Sequence, residues 1–226
     1  MAVQDYFSYL LNPLELLRTK KVLQVNPTVV SQRAEPVETK LTVYDYNTDR
    51  LDIKALTKVA DCFPYIDPQT VSWINVDGLR KDDVEAICKH FGVHYLITED
   101  ILSLGQRPKM DEIDGLLFCL LNMLYFNDKD SAVEIEQISI VLGKNFVISF
   151  QEDATRDVFN PLRERLKVGT TKVRQNGADF LFYALIDMIV DNYYVVMEKL
   201  GEKIEGLEED IVRNANTRSL AKINML

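Results

Sequence analysis

The chain has 226 residues, enough for one large or two small domains and for a core that needs no disulfide staples. Its 26 basic and 35 acidic residues leave a formal charge of −9, which excludes a nucleic-acid partner held through its phosphates, since that requires a basic face. Hydrophobic residues at 47% and charged residues at 27% are the balance of an ordinary globular protein.

Residues 1–39 carry Pro13, Pro27 and Pro36 and the polar run Ser31-Gln32-Arg33. They read as a loosely structured lead-in with one short helix near 11–17, and they lack the basic-then-apolar order of a secretory signal. Short strands are predicted at 41–46, 51–55 and 71–76, the last closed by the turn signal Asp77-Gly78. Val84, Ile87, Cys88 and Phe91 recur at helical spacing within 81–91, with Gly92 at the expected stop. Strands at 116–126, 133–142 and 146–151 follow, and their short connections imply antiparallel neighbours. The apolar run 116–126 contains Asn122 and falls short of the roughly 20 residues of a membrane helix; the chain as given reads as soluble.

Beyond Asp153 the pattern is helical. One helix is predicted at 158–166, with Pro161 suited to a first turn, and a long one at 178–213 after Gly169 and Gly177. Asn214-Ala215-Asn216 breaks it, and Thr217 is placed to cap another helix entering Leu220-Ala221-Lys222-Ile223. A chain that stops so soon after a helix begins reads as a piece of a longer protein.

Cys62, Cys88 and Cys119 show no CxxC spacing and sit in apolar or helical settings, as buried free thiols of a reducing compartment do. The two histidines, His90 and His94, leave little for zinc chemistry or a catalytic triad. No GxGxxG, Walker loop, GxSxG or HExxH occurs, so an enzyme is not expected.

The long helix carries the most informative pattern. At about 100° per residue, Asp187, Asp191, Glu198, Glu202, Glu205 and Glu209 fall within about 60° of one another. Stacked like charges are mildly destabilising, and for residues 198–209 a solvated face is the simpler account. Asp187 differs, because it interrupts the apolar run Phe180-Leu181-Phe182-Tyr183-Ala184-Leu185-Ile186-Asp187-Met188-Ile189-Val190. A carboxylate there must be paired, protonated or coordinating, and the spacing leaves all three open. A second cluster is His94-Tyr95-Leu96-Ile97-Thr98-Glu99-Asp100. Glu99 and Asp100 offer hard oxygen donors, yet spacing alone favours Thr98 as an N-cap with acids in the first turn. The basic loop Gln106-Arg107-Pro108-Lys109 is placed to pair with them.

Five segments carry a resemblance: 72–78 (SWINVDG), 92–109 (GVHYLITEDILSLGQRPK), 136–151 (EQISIVLGKNFVISFQ), 158–167 (VFNPLRERLK) and 178–193 (ADFLFYALIDMIVDNY). In this order they resemble the cytoplasmic domain of CorA-type magnesium transporters, over residues 40–226. The resemblance implies an α/β fold: an αβα sandwich with a mixed, partly antiparallel sheet and long C-terminal helices leading to a stalk. It divides the chain into a lead-in (1–39), a sandwich domain (40–176) and a helical arm with the start of the stalk helix (177–226). It implies a homopentamer joined to the membrane by a C-terminal segment that this chain lacks, at the cytoplasmic face of the inner membrane. The Gly-Met-Asn pore motif of the family does not occur here.

The same resemblance places Asp100 in a regulatory divalent-ion site between subunits, whose other acid is far along the stalk helix and lacking here, and Glu99 and Asp187 in an adjacent one, with Asp191 one turn further along. Mg²⁺ is the implied regulatory ion, with Co²⁺ or Ni²⁺ possible alternatives, and the implied function is negative-feedback gating of a magnesium channel. The rival expectations are a related zinc or other divalent cation transporter and a stand-alone interaction domain.

Overall fold

The computed structural model describes residues 38–103, 105–128, 132–153 and 156–213. Seven strands form one sheet: β1 (Lys40–Tyr46), β2 (Leu51–Leu56), β3 (Val71–Asp77), β4 (Lys109–Ile113), β5 (Leu116–Asn127), β6 (Ala132–Leu142) and β7 (Phe146–Gln151). Their order is β2-β1-β3-β7-β6-β5-β4. Among the described residues only β3 and β7 pair in parallel, and the other pairings are antiparallel. This is a mixed-sheet α/β fold, as expected from the sequence.

Side chains alternate across a strand, and here both faces are apolar. Val43, Ile74, Phe118, Leu120, Val141 and Ile148 face one core. Their neighbours Tyr44, Trp73, Cys119, Ile140 and Val147 face the other. The first core is covered by α1 (Lys81–His90) and α2 (Tyr95–Leu102), through Val84, Ile87, Ile97 and Ile101. The second is covered by α3 (Asn160–Lys167), α4 (Lys172–Gln175) and α5 (Ala178–Arg213), through Leu162, Leu166, Val173, Leu181, Leu185 and Ile189. The sheet therefore separates two helical layers.

Several expectations need correction. A strand, β4, precedes the predicted antiparallel set. It turns into β5 through Asp114-Gly115, both at positive φ (55° and 78°), the conformation of a two-residue type I′ hairpin. The helix predicted from 158 starts at Asn160, with Pro161 in its first turn. Thr98 does not cap α2; His94 does, its Nδ1 accepting from the Leu96 N–H at 3.3 Å. Glu99 and Asp100 consequently lie in the second half of α2, where they cannot favour the positive end of its dipole. The predicted helices near 11–17 and beyond Thr217 lie outside the described residues. The three cysteines are buried and free, and burial pushes their thiols up to about 12 for Cys62 and about 11 for Cys88 and Cys119.

The long helix spans the predicted 178–213. Leu181, Leu185 and Ile189 are fully buried, whereas Tyr183, Val190, Tyr194 and Met197 are exposed, so it docks by one side. β5 has twelve residues and β4 five, which leaves main-chain groups of β5 without a strand neighbour. Tyr193 Oη donates to the Asn122 carbonyl and Asn192 Nδ2 to the Leu124 carbonyl. The helix thus covers an otherwise open sheet edge, a standard protection against edge pairing. The helix over Ala178–Glu209 is also long and apolar enough to cross a membrane by length and composition, its most apolar 18-residue window having a mean hydropathy of 1.4. The sheet-facing side and the outward carboxylates together favour a docked helix over a lipid-facing one.

Candidate metal centre

Helix α2 positions the first two acids. Ile97 and Ile101 point into the core, so Glu99, about 200° from Ile97, faces solvent, while Asp100 falls at the edge of the buried side. The Asp100 side chain is 20% exposed, and its Oδ2 accepts from Lys109 Nζ at 2.6 Å. Lys109 opens β4 and also lies 3.7 Å from Asp111 on the same strand. The hydrogen bond to Asp100 raises the Lys109 ammonium above its usual value. The predicted pairing of the basic loop with an acid of α2 is therefore present.

Gln137 has no predicted role, yet it organises this corner. Buried on β6, its Nε2 donates to the carbonyls of Asp100 (3.1 Å) and Ser103 (2.9 Å), and its Oε1 accepts from the Gln106 N–H at 3.4 Å. One amide side chain ties the end of α2 to the loop leading to Lys109. The available signal was a polar residue at an inward position of an alternating strand, next to Ser139 and Val141.

Asp187 lies on the opposite layer. About 200° from the buried Leu185 around α5, it is half-buried, flanked by the exposed Tyr183 and Val190. It makes no hydrogen bond or ion pair among the described residues. Asp191, one turn on, is exposed, as are Glu198, Glu202 and Glu205. The structure therefore brings Glu99, Asp100 and Lys109 together and keeps Asp187 and Asp191 on the far side of the sheet. Among the described residues no three His, Cys, Asp or Glu side chains gather into a metal-binding group. Carboxylate oxygens are the donors a hard divalent cation takes; their type fits Mg²⁺, while no single chain assembles all four of them.

A buried acid lies near the end of the sheet where β7 and β5 finish. Glu136, 5% exposed, accepts from the Glu152 and Asp153 N–H groups at 2.7 and 2.8 Å. Its Oε2 meets Tyr125 Oη at 3.3 Å, and that hydroxyl also contacts the Arg156 carbonyl. Burial raises the Glu136 carboxyl, as it does that of Asp77. A carboxyl raised by folding favours the native state most when protonated: its contribution is full below the unfolded value and lost as pH rises through the folded value. Lowering the pH from about 7 to about 5 should therefore add to the contribution of Glu136. Urea unfolding at both pH values checks this, with a smaller pH dependence expected for Glu136→Gln.

Comparison with known proteins identifies the family. The sequence profile described as CorA-like Mg²⁺ transporter protein matches residues 68–225. The chain belongs to the CorA family. It is 35% identical over 188 residues to the cobalt/magnesium transport protein CorA of Thermotoga maritima, covering 83% of this chain and 53% of that protein. The chain thus spans about half the length of that curated relative. Its fold resembles the soluble domain of CorA from Methanocaldococcus jannaschii, with a TM-score of 0.58 at 15% identity, covering 80% of this chain and 68% of that one. It also resembles the ZntB cytoplasmic domain from Vibrio parahaemolyticus, with a TM-score of 0.52 at 14% identity over 81% and 70% of the two chains. The two solved structures bear on the fold alone. The family profile, over residues 68–225, covers all of the acids discussed above.

Proposed function

We propose that this CorA domain is the cytoplasmic ion-sensing part of a magnesium transport channel at the inner membrane, working as a homopentamer. The observation that carries the reading is the placement of Glu99 and Asp100 on one face of the sheet and Asp187 and Asp191 on the other. Acids separated by a packed sheet cannot share an ion within one subunit, whereas the same four groups can meet across two subunits. Asp100, Glu99, Asp187 and Asp191 would hold Mg²⁺, with Co²⁺ or Ni²⁺ taking the same oxygens. The ion would offset like charges at a subunit boundary.

Its loss would restore their repulsion and loosen the ring. A ligand that binds one arrangement better shifts the population toward it, so high internal magnesium would favour the closed channel. The residues favour hard donors over zinc's softer ones. His94 caps α2, His90 Nε2 bonds the Phe63 carbonyl at 3.0 Å, and all three cysteines are buried.

Millimolar Mg²⁺ should raise the melting temperature of the chain. A weak site at a few-fold excess of ion contributes about 1 kcal/mol, or roughly 2–4 °C for a chain of this size. Asp100→Ala or Asp187→Ala should shrink the shift, and Glu205→Ala should leave it nearly intact. Equal loss in all three variants would mean that Mg²⁺ merely screens the net charge of −9.

A further inference from the structure

We propose that Lys109 is a resident counter-cation of Asp100, which a divalent ion must displace in order to bind there. The inference rests on the reading of Asp100 as an ion ligand and adds what sets the strength of that site. Lys109 Nζ lies 2.6 Å from Asp100 Oδ2, so the carboxylate already has a cation. Oδ1 has no hydrogen-bond partner among the described residues, which leaves one oxygen open to a newcomer. A compact ammonium makes this single-point contact, whereas a guanidinium tends to engage both oxygens.

The two partners differ in freedom to move. Gln137 holds the Asp100 carbonyl and the end of α2, so the acid is fixed from behind. The Lys109 side chain is 34% exposed, and Asp111 lies two residues along β4, already 3.7 Å from the same ammonium. Residues two apart on a strand share a face, so Asp111 can receive the ammonium when Asp100 turns to another cation. Asp100 and Asp111 are thus two seats for one lysine. A divalent ion at Asp100 faces an adjacent positive charge while the lysine stays, and must move it to Asp111 or to solvent. Weak binding, as a sensor of a plentiful ion needs, follows from this competition as well as from the small number of donors.

Mg²⁺ titration of the melting temperature tests the idea, comparing Lys109→Met with Lys199→Met. Lys199 pairs with the exposed Asp128 at 2.9 Å, so the control removes the same charge at another ion pair. Lys109→Met should lower the apparent Kd for Mg²⁺ about tenfold, the scale expected for removing a charge about 5 Å from a divalent ion in a watery setting. Lys199→Met should change it far less, and adding Asp100→Asn to Lys109→Met should abolish the gain. Equal shifts in the two lysine variants would overturn the competition and leave the ligand role of Asp100 standing. An unchanged Mg²⁺ response in Asp100→Asn would overturn that role and the competition with it. A second measurement needs no variant. Binding and displacement are reciprocal, so saturating Mg²⁺ should speed acetylation of Lys109, read by mass spectrometry, several-fold relative to Lys199. Equal rates with and without the ion would overturn the proposal.

Discussion

Replacing Arg163 by alanine should lower the unfolding free energy by about 3 kcal/mol, the low end of the range for breaking a buried ion pair by removing one partner. Arg163 and Asp157 are ion-paired, with side chains only 14% and 12% exposed. The guanidinium also lies over Trp73, at 5.2 Å, and over Tyr44, at 5.8 Å, so its loss removes cation–π contact and packing as well. The truncation would leave the Asp157 carboxylate buried without its cation, and near Asp77, whose carboxyl burial already raises. Trp73 is fully buried, and its indole N–H donates to Ser149 Oγ at 2.9 Å, so the residue under the guanidinium cannot move to fill the gap. Urea unfolding provides the check, and a loss below about 1 kcal/mol, the usual worth of an exposed pair, would mean that solvent screens this one too.

Leu185→Ala should cost a similar amount, about 3 kcal/mol, within the range for large-to-small core changes. Leu185 is fully buried, as are Leu181 and Ile189 one turn on either side. These side chains are the sheet-facing stripe of α5, and the opposite stripe carries Asp187. Opening a cavity under the helix therefore weakens the seat of the acid without touching it. The expected signature is faster amide exchange along α5 than along α1, together with the lower stability. Exchange that rises equally in both helices would show that α5 does not open as a separate unit.

Much of the sandwich was legible because both of its signals are local. The alternation in β3, the turn residues that bound β5, β6 and β7, and the helical spacing of α1 and α5 set the strands and helices to within a residue or two. β4 was missed because Lys109-Met110-Asp111-Glu112-Ile113 has three charges in five residues, as an edge strand tolerates. The Asp114-Gly115 pair beside it is a hairpin signal in its own right. The cap of α2 was misread because serine and threonine dominate that position, and a histidine ring nitrogen fills it here.

The site divides in the same way. The donor types and the Lys109 partner were readable from neighbouring residues. That Asp100 and Asp187 face opposite layers was not, because it depends on which side of the sheet each helix crosses to, a tertiary choice with no local signature. The role of Gln137 has no local signature for a related reason: its three partners come from another part of the chain.

If acids on the two faces of one sheet share an ion only between subunits, as proposed, sedimentation velocity will show it. Mg²⁺ should shift the unmodified chain to larger species, while Asp187→Asn and the double variant Glu99→Gln/Asp100→Asn should each remain small. Mixing the two variants should restore Mg²⁺-dependent association as dimers only, since one intact pair of faces survives between unlike copies and none remains to extend the chain. Association of either variant alone to the extent of the unmodified chain, or a mixture no larger than its parts, would contradict the account.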